Sequence, residues 1–261
     1  SDLETWAKIL YISDEVGVVD VAMDPSDNQI LYASTWRANR KAWNFVGRGK
    51  ECGIYKTTDG GETWKRLTGG FPTGERVGRI GLDISPSNPN VVYAIISNQR
   101  DVYRSDDKGR SWKKVNEKQV RSAFGDIKIS PDDENEIYVL GTRLLHSRDG
   151  GRTYSEVSEK VVHLYHHGHK GLHLDHHDLW IDPLNADRLL LGTDGGFYIS
   201  YDRSETWLHI NNLPIAEFYA ISVDMASPYN IYGGTQDDAA LFGPSTYELD
   251  KGGEDTWKQV Y

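Results

Sequence analysis

Short runs of alternating apolar and polar residues recur along the chain, each followed by a tight turn and a second short apolar run. The first example is Val19–Pro25 followed by Ile30–Ala33. The same pair recurs at 80–86 with 91–95, 127–131 with 137–140, 179–183 with 189–192, and 219–224 with 231–234. A period of two is typical of strands, and no segment sustains the 3.6-residue period of a helix. The pattern predicts an all-β protein built from short strands.

A second pattern follows each pair of strands: Ser/Thr-x-Asp-x-Gly-x-Thr/Ser and then an aromatic residue. It occupies residues 57–64, 105–112, 147–154 and, with Ser204 in place of the glycine, 200–207. A fainter copy lies at 249–257, and residues 4–6 resemble the end of another. The aspartate can accept hydrogen bonds from its own turn, and the glycine permits a positive φ angle. We therefore interpret Asp59, Asp107, Asp149 and Asp202 as structural residues of a turn between two strands.

This second pattern, called the box from here on, recurs about every 50 residues. That length is enough for four strands, and such a period indicates one repeated supersecondary unit. Four-stranded antiparallel units arranged radially form a β-propeller. We predict one domain, 1–261, of about five blades, which is either complete or part of a larger propeller. The blades are expected at 17–67, 77–115, 121–157, 172–210 and 217–261. Residues 1–12 are expected to add an extra strand at a blade edge, through which the chain could oligomerise.

Composition narrows the function classes. The 261-residue chain has a formal net charge of −10, which argues against binding along nucleic acid because phosphate contacts need a basic surface. No apolar run is long enough to span a bilayer, and the given sequence shows no signal-peptide pattern. Cys52 is the only cysteine, so an intramolecular disulfide is excluded. The cysteine content therefore does not indicate in which cellular compartment the protein works.

The boxes join the third and fourth strands of each blade, so they all belong to one face. The opposite face carries the links between blades, and there the sequence stops repeating in three places. A basic and aromatic loop runs from Trp36 to Lys50. The segment 161–178 holds seven of the nine histidines. Thr235–Asp238 ends a second strand, in line with Thr193–Asp194 one blade earlier. Binding and catalytic residues tend to lie on such variable loops of a rigid scaffold.

The histidine-rich segment suggests a metal centre. If residues 173–177 are extended, His173, Asp175 and His177 share one face of the strand, and imidazoles with a carboxylate are a common zinc set. The outer two Cα atoms would be about 13 Å apart, so all three need a bulge or additional ligands. Further candidates are His163, His167, His169 and Asp194. A polar lining without metal and an incidental cluster are the alternatives.

Three functions remain open. A metal-assisted hydrolase would use zinc-bound water on an ester, phosphoester or glycoside, with Arg79 or the basic loop, including Trp36 and Arg37, holding the substrate. A metal-free glycosidase would need two carboxylates about 5–10 Å apart. Its catalytic candidates are Asp175, Asp194, Glu217, Asp237 and Asp238. A non-catalytic propeller would bind a peptide or glycan at the mouth of the central channel that the blades surround. Tyr219 and Gln236 are further candidates for substrate contacts there.

Several segments resemble a known group. The boxes resemble the Asp-box repeat, which occurs in proteins of many functions. The stretches 175–183, 192–196, 213–219 and 233–238 resemble the bacterial sortilin N-terminal-like propellers labelled glycosyl hydrolases. The resemblance implies an exported protein and a small-molecule, glycan or peptide substrate. Asp238 stands where the pattern usually has Asn, and Ser204 replaces a box glycine.

Overall fold

The structure is a computed structural model that describes residues 6–120, 124–157, 161–163, 171–210, 217–236, 240–246 and 258–260. Across these ranges the regular secondary structure consists of strands, without a helix. The chain divides into two compact units, Ser1–His209 and Ile210–Tyr261, where the sequence pattern predicts one domain.

The first unit holds four successive sheets, each containing four antiparallel strands from one repeat. The first sheet comprises β1 (Gly17–Met23), β2 (Leu31–Trp36), β5 (Gly53–Thr57) and β6 (Lys65–Leu67), with the hairpin β3 (Asn39–Lys41) and β4 (Asn44–Val46) inserted after β2. The second comprises β7 (Ile80–Ile84), β8 (Val92–Ile96), β9 (Asp101–Ser105) and β10 (Lys113–Lys114). The third comprises β11 (Asp126–Ile129), β12 (Ile137–Leu140), β13 (Leu145–Ser147) and β14 (Ser155–Glu156).

The fourth sheet carries a strand that the repeat does not predict. It contains β16 (His176–Ile181), β17 (Leu189–Thr193), β18 (Gly196–Ser200) and β19 (Trp207–Ile210). A fifth strand, β15 (Val161–His163), pairs in parallel with β19 at its edge. The second unit is one four-stranded sheet of β20 (Phe218–Val223), β21 (Asn230–Thr235), β22 (Ala240–Pro244) and β23 (Lys258–Val260).

Apolar side chains of neighbouring sheets form the core of the first unit. The buried clusters lie successively between the first and second, the second and third, and the third and fourth sheets. Tyr32, Tyr93 and Tyr138 are fully buried, each near the start of the second strand of its sheet. The first strands also lie side by side, since Asp20 accepts a hydrogen bond from Leu82 N–H. This is the architecture of propeller blades, and the predicted all-β propeller fold is confirmed.

The boxes are turns between third and fourth strands, as predicted. In the first box the Asp59 carboxylate accepts hydrogen bonds from Thr63 N–H at 2.9 Å and from the Thr63 hydroxyl at 2.5 Å. Gly61 has φ +102°, and Ser204, which replaces the glycine of the fourth box, still adopts φ +69°. The turn therefore survives the substitution at the cost of a strained backbone.

The extra blade-edge strand predicted for residues 1–12 does not form over 6–12. Those residues have no strand, and the nearest pairing is an isolated bridge between Ser13 and Val16. Trp6, Ile9 and Tyr11 are largely exposed, and Ile9 lies close to Gly61 of the first box. Oligomerisation through this segment stays a prediction.

Candidate functional site

A β-bulge at the start of β16 defines the candidate site. His176 pairs with Thr193 and Asp178 pairs with Gly192, so His177 is an extra residue with no partner in the register. A bulge of this kind re-aims a side chain, and bulges are common beside active sites. The sequence pattern predicts an extended strand over 173–177, but β16 begins only at His176. Asp175 adopts φ +60°, so His173, Asp175 and His177 do not alternate along one strand face.

The bulge turns His177 toward Asp194. His177 Nε2 lies 2.5 Å from Asp194 Oδ1, with 53% of the histidine side chain and 24% of the aspartate side chain exposed. The Phe124 ring covers one side of the imidazole at 4.9 Å between centroids. A carboxylate acceptor on Nε2 favours the tautomer with hydrogen on Nε2, which leaves a lone pair on Nδ1. The arrangement is therefore an exposed histidine–aspartate pair with one ring nitrogen available.

The two-residue turn that carries Asp194 is held from several sides. Asp194 N–H donates to the carbonyl of Asp175 at 3.2 Å, and Gly195 N–H donates to Thr193 Oγ1 at 3.1 Å. His173 packs against this turn so closely that a Cβ on Gly195 would stand 2.2 Å from His173 Cγ. These contacts fix the backbone of Asp194 before any ligand arrives, which is the preorganisation that a catalytic pair requires.

His176 anchors the bulge to the third sheet. Its N–H donates to the carbonyl of Gly141 at 2.8 Å, and its Nδ1 lies 3.0 Å from the same oxygen. The ring is buried, and burial lowers the pKa of His176, so the neutral form is favoured. The adjacent Asp175 N–H bonds Thr142. His176 is thus a structural residue, and only its neighbour His177 presents the ring to solvent.

The predicted zinc ligands are not brought together as a set. Among the described residues no group of three or more His, Cys, Asp and Glu side chains is placed to hold a metal ion. His177 Nε2 is engaged by Asp194, and His173 Nδ1 lies 3.0 Å from the carbonyl of Leu174. His166, His167 and His169 lie outside the described residues, and of His163 only the backbone in β15 is described. Zinc therefore stays a prediction.

The second unit repeats the bulge with different residues. Phe218 pairs with Thr235 and Ala220 with Gly234, which leaves Tyr219 as the extra residue. The hydroxyl of Tyr219 donates to Gln236 Oε1, as His177 faces Asp194 in the first unit. Glu217 is exposed, whereas Asp237 and Asp238 lie outside the described residues. Tyr219 and Gln236, predicted separately as substrate contacts, thus form one pair.

The predicted anion-binding residues are already engaged within the protein. Arg79 lies 3.4 Å from Asp126, and its guanidinium stands 5.9 Å from the Trp36 ring centroid. Trp36 Nε1 donates to the carbonyl of Gly47 at 2.8 Å. Arg37 forms an ion pair with Glu15 at 2.5 Å. These contacts shape the base of the β3–β4 hairpin, and they leave these cations less available to an anionic ligand than the sequence predicts.

Charged residues on the inner strands were not anticipated from sequence. Lys128 lies 3.4 Å from Asp178, the residue after His177. Burial raises the pKa of Asp83 to about 6, while hydrogen bonds from the N–H groups of Ile129 and Ile84 oppose the rise. The signal available in the sequence was the recurrence of a charged residue within each first strand. The alternation of residues along a strand does not by itself show whether such a charged side chain faces the central channel of the propeller or a neighbouring blade.

Comparisons with known proteins agree with this architecture. Residues 52–176 match the family model described as Sortilin, neurotensin receptor 3. No curated protein matches by sequence. Within the described part of the chain, no helix is both long and apolar enough to cross a bilayer.

Three solved structures share the fold. An ancestral GH74 enzyme superimposes with a TM-score of 0.55 at 16% identity, covering 93% of this chain and 31% of that one. YCF48 from Cyanidioschyzon merolae gives 0.52 at 13% identity, with coverages of 96% and 73%. A nidogen/laminin complex gives 0.51 at 11% identity, with coverages of 87% and 75%. The chain spans about a third of the GH74 enzyme. By its repeats, its fold and its family match, the chain is similar to the Asp-box β-propellers of the sortilin type.

Proposed function

We propose that this chain is a hydrolase propeller in which His177, oriented by Asp194, acts as a general base without a metal ion. The observation that carries the proposal is the 2.5 Å contact between His177 Nε2 and Asp194 Oδ1 on a half-exposed ring. A histidine held by a carboxylate keeps one tautomer, and its free nitrogen can accept a proton from a water molecule. Such a base typically contributes about 10²–10⁴-fold to a rate.

The chemistry suits an ester or phosphoester. His177 Nδ1 takes a proton from a water molecule, and the water oxygen bonds to the carbonyl carbon or phosphorus of the substrate. The bond to the leaving alkoxide then breaks, and the imidazolium returns its proton to that oxygen. Asp194 stabilises the transient positive charge on the ring. Phe124 limits access to one side of the imidazole.

The glycosidase alternative needs two carboxylates that are free to face one sugar. In the first unit, Asp194 is one of the two candidate carboxylates, and it is held by His177. The backbone of Asp175, the other candidate there, supports the turn of Asp194. The engagement of the Asp194 carboxylate by His177 favours the histidine base over a carboxylate pair.

The proposal is tested with p-nitrophenyl acetate, p-nitrophenyl phosphate, bis-p-nitrophenyl phosphate and a set of p-nitrophenyl glycosides. We expect hydrolysis of at least one ester or phosphoester, reduced about 10²-fold or more in His177→Ala. Tyr201→Phe, at an exposed position of the fourth box, is the control and should retain the rate. Hydrolysis that is equal in wild type and His177→Ala, or restricted to the glycosides, would overturn the proposal.

A second candidate is a propeller that binds its ligand without turnover. The likeness to the nidogen/laminin structure supports it, because that propeller fold is seen in a protein complex. A glycan or peptide that raises the melting temperature, with no hydrolysis of any substrate in the set, would favour binding alone. A family resemblance also motivates the prediction of export, which detection of the native protein in periplasmic or culture-medium fractions would test.

A further inference from the structure

The β3–β4 hairpin of the first unit carries aromatic and basic side chains into solvent. Arg40 pairs with Phe45 and Lys41 pairs with Asn44, and the two residues between these strands form the turn. Every residue from 38 to 45 is exposed, so the end of the hairpin is a convex surface. No step of the proposed hydrolysis uses this surface.

The base of the hairpin is fixed to the rest of the first unit. Trp36 Nε1 donates to the carbonyl of Gly47 at 2.8 Å, and Gly49 N–H donates to the carbonyl of Val77 at 3.0 Å. The Phe45 ring meets the Trp36 ring edge-on, with 6.0 Å between centroids. A partner at the tip therefore meets a hairpin that is already ordered, which reduces the entropic cost of binding.

The turn of the hairpin presents a tryptophan. Trp43 is 83% exposed, and Phe45 behind it is 54% exposed. Two-residue hairpin turns favour Asn, Asp and Gly, and the turn here consists of Ala42 and Trp43. Turn geometry therefore does not explain why a large aromatic residue stands at the most exposed point of the hairpin.

The charge of this segment is opposite to that of the chain as a whole. Residues 38–50 contain no carboxylate and four cations, which are Arg40, Lys41, Arg48 and Lys50. The whole chain, by contrast, has a formal net charge of −10. Arg37 at the hairpin base is paired with Glu15, but the side chains of Arg40 and Lys41 form no ion pair with any described residue. The tip therefore carries uncompensated positive charge beside Trp43.

The shape and chemistry of the tip favour a flat anionic partner. Small-molecule sites are concave, whereas this surface is convex. Tryptophan is enriched at the level of lipid headgroups, because its ring is apolar and its N–H is polar. Each lysine or arginine near anionic headgroups adds to the attraction. An acidic peptide would pair with Arg40 and Lys41, but it would offer the Trp43 ring no apolar surroundings.

We propose that the β3–β4 hairpin is a docking site for a lipid bilayer that contains anionic phospholipids. The Trp43 ring enters the headgroup region, and Arg40 and Lys41 lie against lipid phosphates. The acidic remainder of the chain opposes this contact only weakly, because salt at about 0.1 M screens charges more than about 10 Å apart. The proposal does not depend on the hydrolase function, since its test measures no turnover.

Co-sedimentation with vesicles tests the proposal. Vesicles of equal parts phosphatidylcholine and phosphatidylglycerol are compared with vesicles of phosphatidylcholine alone. We expect half-maximal binding at about 1 mM anionic lipid, and binding about fivefold weaker or more without it. Lys41→Glu should weaken binding about tenfold. Lys113→Glu, which changes the net charge equally at an exposed position of β10, should have little effect.

Two tryptophan variants separate the tip from other exposed aromatic residues. Trp43→Ala should weaken binding about tenfold, because it removes the ring that enters the headgroup region. Trp6→Ala is the matched control, since Trp6 is 88% exposed but lies outside the hairpin, and it should bind like wild type.

Three results of the vesicle experiment would overturn the proposal. They are no sedimentation of the wild type at about 10 mM anionic lipid, wild-type binding by Trp43→Ala, and equal losses in Lys41→Glu and Lys113→Glu. Saturable binding to poly-L-glutamate without binding to vesicles would also overturn it, and would identify an acidic polypeptide as the partner.

Discussion

Lys108 places its ammonium group 2.7 Å from the carboxylate of Asp24, whose side chain is fully buried. Lys108 belongs to the second box, and Asp24 lies in the turn after the first strand of the preceding sheet. Arg203 of the fourth box does the same for the third sheet, with ion pairs to Asp132 and Glu136. The second and fourth boxes therefore close their own turns and also tie their blades to the ones before.

Lys108→Met should lower the free energy of unfolding by about 2 kcal/mol, because it leaves the buried charge of Asp24 without its cation. Urea denaturation at pH 7 measures the loss. Arg143→Met is the matched control: it removes an ion pair to Glu156 in which both side chains are about half exposed, and it should cost less than about 1 kcal/mol. Equal losses in the two variants would contradict the role of the box as a clamp.

Asp83→Asn should change how stability depends on pH. The pKa of Asp83 is raised to about 6 by burial, so between about pH 4 and 6 the native state keeps a proton that the unfolded state has released. Its contribution to the free energy of unfolding is therefore largest below pH 4 and falls as pH rises to 6. Asn cannot titrate, so denaturation curves collected from pH 4 to 7 should lose this slope.

Asp59→Asn is the control for that experiment. Hydrogen bonds from Thr57 and Thr63 lower the pKa of Asp59 to about 2, so its stabilising contribution is present above about pH 4 and is lost as pH falls toward 2. The substitution should leave the slope between pH 4 and 6 in place. If stability depends on pH between pH 4 and 6 in Asp83→Asn as it does in wild type, a titratable group other than Asp83 causes that dependence.

Gly195→Ala should lower kcat about 10²-fold on the best ester or phosphoester substrate. The new Cβ would stand 2.2 Å from His173 Cγ, so the turn must shift and carry Asp194 away from His177. Gly192→Ala, on the strand that leads into the turn, is the control, since its nearest atom is 4.0 Å away. A rate loss shared by both variants would mean that general destabilisation, and not the position of Asp194, is responsible.

Dialysis against EDTA should leave the esterase or phosphoesterase rate of the untagged protein unchanged, because the proposed base needs no metal. Elemental analysis of the same sample measures bound zinc. Stoichiometric zinc, together with loss of rate in chelator and recovery on adding zinc, would contradict the metal-free proposal. That result would support the zinc centre predicted from the histidine-rich segment.

The box turns could be predicted from sequence because their contacts are local. Asp59 bonds Thr63 four residues away, and the same spacing recurs in each box, so a short pattern specifies the turn. The blades follow from the repeat of that pattern. By contrast, β15 pairs with Trp207, more than forty residues later, and no local pattern predicts such a partner.

The candidate site was predicted residue by residue but not as an arrangement. His177 and Asp194 were both identified, one as a metal ligand and the other as an acid or base. A bulge adds one residue and changes which side chain faces which, without any signature in composition. A bulge of the same kind in β20 pairs Tyr219 with Gln236. This shared arrangement becomes visible only when the pairing register of β16 with β17 is compared with that of β20 with β21.

The most direct test is kcat for wild type and Asp194→Asn on the ester or phosphoester that the protein hydrolyses best. Asn keeps the size of Asp194 but removes the charge that fixes the His177 tautomer and stabilises the imidazolium. We predict a loss in kcat of about 10²-fold or more, with little change in KM. A kcat equal to that of wild type would contradict the account, because His177 would then act without Asp194 or not at all.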